Sequence, residues 1–298
     1  MKIDIIYALF LGIIFSTIYT LKGGFGSIVK TDLIQFLLMF FGFGYMAIYL
    51  YANFGGYQFL ASNLSMDMLS FPGKLNWTYI FTWGFIALIT FIDPSFYQRV
   101  YAASDKNAAK KGIYISIGFW FLFDILSITI GLYSAAILTE IQFSPYIDIA
   151  EYILPPLLKG IFIVSILSIV MSTIDSFIFI SGFTIGKDLM QILKKDVSIS
   201  SVRAGIILSG IFSVIIASFF TYAIDIWYVT GSFAVPSLLI PLLFIYFNIK
   251  LKNAYLCMVI PLIATGIWFF YGNQSLDPMY PGLITSIILC LINRDVIS

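Results

Sequence analysis

Long apolar runs, each interrupted by few charged residues, recur along the whole of this 298-residue chain. Hydrophobic residues make up 60% of it and charged residues only 10%, and the mean hydropathy is +1.00. A helix of about 20 apolar residues crosses the roughly 30 Å hydrocarbon core of a bilayer. Lipid offers no partners for backbone N–H and C=O groups, so each run must satisfy its own groups as a helix. The sequence therefore predicts an all-α fold, a polytopic transmembrane helix bundle.

About nine spans are predicted from these runs and from the turn-forming segments between them. The separators are rich in glycine, asparagine, aspartate and lysine, as in "KGGFGS" at 22–27 and "DKNAAKKG" at 105–112. None is long or polar enough to divide the chain, so residues 1–298 are predicted to form a single transmembrane domain. The predicted spans are 3–21, 32–52, 76–93, 112–138, 156–185, 204–223, 226–248, 253–271 and 279–292.

Composition excludes several classes of site. The chain has no histidine, which removes histidine-based zinc sites, Ser-His-Asp triads and Cys-His dyads. Its two cysteines, Cys257 and Cys290, lie in separate apolar runs, which indicates packing rather than a disulfide framework. The net charge is +1 and no basic block resembles a polyanion-binding arm, so no nucleic-acid partner is predicted. The chain is predicted not to be an enzyme, and membrane lipid is its expected environment.

The distribution of lysine and arginine predicts how the chain is oriented. These residues accumulate on the cytoplasmic side of membrane proteins. With the N-terminus outside, thirteen of the sixteen fall in inner loops and three fall outside, namely Lys2, Lys74 and Lys159. The prediction is a multi-pass protein of the cell (plasma) membrane, with its N-terminus outside and its C-terminus cytoplasmic.

The segment "MSTIDS", residues 171–176, places a carboxylate and three hydroxyls deep in an apolar run. A charge inside a span is costly and is by default a functional feature. A hard cation such as Na⁺ binds oxygen ligands, although serines by themselves also serve close helix packing. Asp175 lies one turn from Ser172 and flanks a helical stripe of serines opposite Thr173, which favours an ion path. The stripe consists of Ser165, Ser168, Ser172 and Ser176.

Two further carboxylates lie in or beside predicted spans. Asp32 opens the second span within "KTDLIQ", where it also suits a helix N-cap, and the two roles are compatible. Asp124, in "WFLFDILS", lies about mid-span. It is predicted to face a cavity or neighbouring hydroxyls, and so is a candidate substrate contact.

Two spans are predicted to be interrupted. The third carries Gly84 and ends at Pro94, and the seventh holds Gly231, Pro236 and Pro241. Discontinuous helices leave backbone groups free to bind substrate and ions, although a packing kink accounts for each one alone. Together with the oxygen-rich fifth span, they favour a transporter.

Three stretches of the chain resemble the sodium:solute symporter family, in the order in which the family has them. They are "TLKGGFGSIVKTDLIQFLLMFFG" (20–42), "DPSFYQRVYAASDKNAAKKG" (93–112) and "MSTIDSFIFISGFTIGKDL" (171–189). The family is similar in fold to the leucine-transporter type, which has two five-helix inverted repeats. The resemblance implies a partial fold of this type, with the last two helices of the first repeat at 1–52, the second repeat at 76–248 and peripheral helices at 253–298.

The resemblance also implies an activity and a set of ion ligands. The activity is sodium-coupled symport of a small organic solute by alternating access, with Na⁺ as the coupling ion. Ser172 and Thr173 match the family's sodium-liganding hydroxyl pair, and the carbonyl of Ile169 matches a backbone ligand. Asp32 matches the acidic residue near the sodium exit route.

A second cation position and a substrate contact region are further implications of the resemblance. Asp175 and Ser176 form the second cation position together with Asp32. Trp83 and Asp93 fall on the helix that contributes to substrate contacts and the inner gate.

The resemblance leaves a second class of function open, because the family's usual first four helices have no counterpart in the matched stretches. In this alternative, the chain is predicted to be a transport-incompetent fragment, or half of a split symporter whose partner is a separate N-terminal helix fragment. A membrane sensor, in which a signalling domain is fused to such a bundle, is a third class. Only "NRDVIS" follows the last predicted span, which is too short for a signalling domain.

Overall fold

The computed structural model describes residues 5–220, 222–272 and 276–295, with side chains from residue 12 onward. Helices fill most of these ranges, and their only β-pairing is one isolated bridge between Leu251 and Arg294. A 3-10 turn at Leu88–Phe91 follows α4, and π-helical turns at Thr184–Leu189 and Val235–Leu239 follow α8 and α11. The helices are α1 (Ile5–Phe54), α2 (Tyr57–Asn63), α3 (Met66–Leu69), α4 (Trp77–Ala87), α5 (Pro94–Ala102), α6 (Lys106–Ile137), α7 (Pro145–Ile153), α8 (Pro156–Phe183), α9 (Met190–Ile192), α10 (Ile199–Ala217), α11 (Ala223–Ala234), α12 (Ile240–Tyr246), α13 (Ala254–Tyr271) and α14 (Met279–Ile292).

Seven helical segments within the described ranges are long and apolar enough to cross a membrane. A further apolar helix, α14, is shorter, with 14 residues. The prediction of an all-α, multi-pass bundle is thereby confirmed. The count of nine spans stays a prediction, because the first two predicted spans share α1 and the ninth coincides with the short α14.

Internal contacts divide the chain into two compact units. The first unit consists of residues 1–74 and 101–218 and contains α1, α6, α8 and α10 among its helices. The second unit consists of residues 75–100 and 219–298 and contains α4, α11, α13 and α14. The single domain and its division into repeats stay predictions.

Helix α1 folds back on itself at Gly24, which has a φ of 57° and a ψ of −154°. Tyr19 and Gln35 lie on opposite sides of this break and both bond to Asp175 of α8. Along a straight helix the two residues would be about 24 Å apart, too far to reach one carboxylate. The segment 22–27 is therefore a one-residue break between two helical legs, residues 5–23 and 25–54, and not the loop that the sequence predicted.

Substituting Gly24 with alanine is expected to destabilise the protein by about 1–2 kcal/mol, because an L-residue is strained at positive φ. A Cβ atom at this position would meet no atom within 4 Å, so the backbone conformation alone carries the effect. Gly26→Ala is the matched control, since Gly26 also has open space and has no positive φ. Thermal unfolding in detergent measures both, and equal midpoints for the two variants would contradict the interpretation.

Helix α6 begins earlier than the sequence predicted, at Lys106 instead of 112. Asp105 caps it, since its carboxylate accepts the amides of Asn107 and Ala108 at 2.8 and 2.9 Å. These bonds, with one from the Ser104 hydroxyl, hold the pKa of Asp105 below its usual value. The segment 105–112 is therefore a cap followed by about two helical turns, and not the separator that the sequence predicted.

The core of the first unit lies between the second leg of α1 and helices α6, α7 and α8. Phe43 is buried at its centre, with ring centroids 4.8 Å from Phe123 and 5.2 Å from Phe162. Met46 and Leu50 follow it one and two turns along and are fully buried. This packing holds the second leg against α8, the same pair of helices that carries the Asp32–Ser172 bond.

The core of the second unit gathers around the π-helical turn Val235–Leu239. Val235 is fully buried with Ile86 of α4 and Met279 of α14. A Cβ atom on Gly231 would come within 2.7 Å of the Ile86 side chain, so this glycine allows α11 and α4 to approach closely. The glycine that the sequence associated with an interruption thus serves packing.

The two predicted interruptions have different outcomes. In the third span, α4 ends at Ala87, a 3-10 turn follows, and Pro94 begins α5, so the helix is interrupted ahead of the proline. In the seventh span, the backbone stays helical through Pro236 and Pro241, and only a π-helical turn widens it. This turn accommodates the missing N–H of proline without breaking the helix.

Candidate functional site

A buried polar cluster lies where both legs of α1 pack against α8. Asp175 is fully buried, and its Oδ2 accepts hydrogen bonds from the Tyr19 hydroxyl and from Gln35 Nε2, the latter at 3.5 Å. Tyr19 belongs to the first leg and Gln35 to the second. One carboxylate on α8 therefore holds both legs.

Asp32 and Ser172 add a second contact to this cluster. The Ser172 hydroxyl donates to Asp32 Oδ1 at 2.8 Å. The second leg of α1 runs antiparallel to α8, since Phe25 contacts Phe179 and Phe43 contacts Phe162, so this bond and the Gln35–Asp175 bond lie at about the same level of the helix interface. The structure thus brings together Asp32, Ser172 and Asp175, three of the residues predicted to bind cations.

Two oxygen atoms in this cluster are buried without a hydrogen-bond partner among the described residues, Asp175 Oδ1 and Gln35 Oε1. An unsatisfied buried polar atom costs about 1–3 kcal/mol, so its presence in a packed interior calls for an explanation. Both atoms are acceptors, and a carboxylate carries negative charge. Hard cations are bound by oxygen atoms of this kind, so the donor set fits a cation.

Ile169 and Thr173 form a second oxygen pair on α8. The Thr173 hydroxyl donates to the Ile169 carbonyl at 3.0 Å, and the Thr173 side chain is exposed. Ser172, the neighbouring residue, instead bonds to Asp32. Of the predicted sodium ligands, Thr173 is thus exposed, Ile169, Ser172 and Asp32 are half-buried, and Asp175 and Ser176 are buried.

The other predicted site residues lie apart from this cluster. Asp124 lies on the exposed face of α6 in the first unit. Asp93 and Trp83 belong to the second unit, where Asp93 Oδ1 caps α5 by accepting the Ser95 amide at 2.7 Å. Trp83 is half-buried, and its Nε1 is buried without an acceptor among the described residues.

Sequence reasoning missed Tyr19 and Gln35. The available signal for Gln35 was its spacing from Asp32. The two are three residues apart, as Ser172 and Asp175 are, so each pair lies on one face of its helix. No comparable signal distinguished Tyr19 among the 19 tyrosines of the chain.

An all-α, multi-pass fold with a buried oxygen-rich cluster belongs to the class of polytopic membrane proteins. The family model of the sodium:solute symporter family matches residues 1–247, and the chain belongs to that family. This confirms the resemblance seen in the sequence, and the family is one of transporters and not of enzymes.

One curated relative is the sodium/pantothenate symporter of Haemophilus influenzae (strain ATCC 51907 / DSM 11121 / KW20 / Rd). It is 26% identical to this chain over 193 residues, which cover 60% of the chain and 39% of the relative. The chain thus matches about two fifths of the relative's length.

Proposed function

We propose that the chain acts in sodium-coupled symport of a small organic solute by alternating access, with Na⁺ as the coupling ion. Family membership supports the class of activity, and the cluster of half-buried Asp32 and Ser172 with buried Asp175 carries the assignment. A cation held between α8 and the two legs of α1 stabilises the conformation in which these helices are packed together. A solute that prefers the same conformation is then bound more tightly when the ion is present.

The ion ligands divide between two positions. Ser172, Thr173 and the Ile169 carbonyl form the primary sodium position, supported by the close approach of the Thr173 hydroxyl to that carbonyl. Asp32, Asp175 and Ser176 form the second cation position, supported by the unpartnered Oδ1 of Asp175. Ser172 lies between the two positions through its bond to Asp32.

The solute contacts are proposed at Trp83, Asp93 and Asp124. The Trp83 indole N–H supports this for the second unit, because it is buried and has no acceptor among the described residues. Pantothenate is the first solute to test, since the relative named above is a sodium/pantothenate symporter. The proposed location is the plasma membrane, with the N-terminus outside and the C-terminus cytoplasmic.

Sodium binding and uptake by the reconstituted chain test this function. We expect uptake of labelled pantothenate into liposomes to require a sodium gradient, and direct binding of radioactive sodium to report the ion site without knowledge of the solute. Ser172→Ala and Thr173→Ala should each weaken sodium binding about tenfold, or about 1.4 kcal/mol. Ser213→Ala is the control, because the Ser213 hydroxyl bonds only locally, to the Ser209 carbonyl at 2.8 Å.

The assignment would be overturned if uptake did not depend on sodium and if neither substitution changed uptake or sodium binding. The experiment includes a second arm in which a separate N-terminal helix fragment is co-reconstituted. Transport only in that arm would favour half of a split symporter, and sodium binding without transport in either arm would favour a transport-incompetent fragment.

A further inference from the structure

The second unit contains a cleft of about 460 Å³ that the sodium proposal does not use. It lies at the end of the unit where α4 and α14 begin and α13 ends. The predicted orientation places this end on the outer side of the membrane. Its volume is within the range of about 300–1,000 Å³ that is typical of small-molecule sites.

Asp277 contributes a carboxylate to this cleft. Its Oδ2 accepts from the Tyr228 hydroxyl and its Oδ1 accepts from the Met279 amide at 2.9 Å, so both donors are neutral. A carboxylate has about four acceptor positions, and these bonds use two of them. Within the described parts of the chain Asp277 has no ion pair.

The nearest basic residues along α13 and α14 lie at the opposite end of these helices. Lys250 and Lys252 precede α13, and Arg294 follows α14. The Lys252 amide bonds to the Asn293 carbonyl at 2.8 Å, which holds these basic residues together at that end. An 18-residue helix is about 27 Å long, so their charge does not neutralise Asp277 across it.

Aromatic rings form walls of the same cleft. Tyr79, Tyr228 and Trp268 line it, and Tyr79 is 49% exposed. The Trp268 indole N–H donates to the Leu276 carbonyl at 3.0 Å, which fixes the ring beside the loop that carries Asp277. The faces of these rings carry partial negative charge and attract cations, especially organic ammonium groups.

We propose that this cleft binds a small organic ammonium ion, with Asp277 as its charge partner and Tyr79, Tyr228 and Trp268 as its aromatic walls. The carboxylate supplies the opposite charge, and the rings replace the water that an ammonium group loses on entering. An anion is repelled by Asp277, and a bare metal ion gains little from aromatic carbon. This site is independent of the proposed sodium site, because it uses other residues in the other unit.

Choline and its neutral isostere 3,3-dimethyl-1-butanol test the proposal on the purified full chain in nanodiscs. Isothermal titration should show that choline binds at least about tenfold more tightly than the isostere. The affinity should be the same in sodium and in potassium chloride, so failure of the sodium proposal leaves this result unaffected. Equal affinities for choline and the isostere would overturn the ammonium site.

Two sets of variants separate the charge from the rings. Asp277→Asn keeps an oxygen that accepts the Met279 amide and places an NH2 group beside the Tyr228 hydroxyl, which can then act as the acceptor. Because the negative charge is gone, this variant should weaken choline binding about tenfold. Asp225→Asn is its control, because this exposed aspartate at the start of α11 does not line the cleft. Tyr79→Leu should weaken binding, while Tyr79→Phe should leave it unchanged.

Equal effects of Asp277→Asn and Asp225→Asn would mean that general surface charge, and not a site, attracts choline. Unchanged choline binding in Tyr79→Leu would contradict the proposed role of the aromatic rings. If Asp277→Asn fails to fold, the Tyr79 pair and the isostere decide the question, since Tyr79 is exposed and its replacement leaves the core intact.

Discussion

Replacing Asp175 with alanine is expected to abolish sodium-dependent uptake and to weaken sodium binding by about two orders of magnitude. The side chain is fully buried, and among the described residues its Oδ1 is the one carboxylate oxygen of the cluster that is buried without a hydrogen-bond partner. Alanine also leaves the Tyr19 hydroxyl and the Gln35 amide without their shared acceptor, at about 1–3 kcal/mol for each group. Binding of radioactive sodium and the thermal unfolding midpoint measure the two effects.

Asp175→Asn separates the charge from the hydrogen bonds. The amide oxygen still accepts from Tyr19 and Gln35, so the thermal midpoint should stay closer to that of the wild type than in the alanine variant. Sodium binding should nevertheless be as weak, because the negative charge is gone. Asp188→Asn, at an exposed carboxylate of the same unit, is the control and should bind sodium normally. Retained sodium binding in Asp175→Asn would show that the Asp175 carboxylate is not a sodium ligand.

Replacing Gly205 with alanine is expected to destabilise the first unit by about 3 kcal/mol. Helix α10 crosses the end of α8 at this glycine, and an added Cβ atom would clash with the Gly182 carbonyl oxygen and lie 2.8 Å from the Gly186 amide. These neighbours are backbone atoms, which cannot move aside by changing rotamer. Small residues at such crossings are typical of helices that pack in a membrane. The thermal midpoint in detergent measures the loss.

Gly118→Ala is the matched control for this substitution. Gly118 lies on α6 of the same unit, and a Cβ atom there would meet no atom within 4 Å. Alanine favours the helical backbone over glycine by up to about 1 kcal/mol, so this variant should be as stable as the wild type or more stable. Similar losses in both variants would show that helix crossing distance does not limit stability here.

The polar contacts between α1 and α8 were predictable from the sequence in part. Asp32, Ser172 and Asp175 are polar residues in apolar runs, and the cost of burying them in lipid makes them conspicuous. The pairing of Asp175 with Tyr19 was not predictable, because it joins residues separated by 156 positions and a tyrosine carries no such penalty in a span.

Ser172 and Thr173 illustrate a second limit of pattern reasoning. The resemblance implies one hydroxyl pair for one ion, yet neighbouring residues on a helix point about 100° apart. The structure directs Ser172 to Asp32 and leaves Thr173 exposed beside the Ile169 carbonyl. The use of both hydroxyls by one sodium ion stays a prediction, as do the solute contacts at Trp83, Asp93 and Asp124.

The amino-acid sequence by itself determined the helices, their membrane character and the family, because length of apolar run, backbone satisfaction and local motifs are properties of continuous segments. Only the tertiary structure decided that α1 folds back at Gly24, that Asp175 holds both of its legs, and that Asp277 meets Tyr228 in an aromatic cleft. These features depend on contacts between residues far apart in the chain. Their register is set by close packing of whole helix faces, which no single segment encodes.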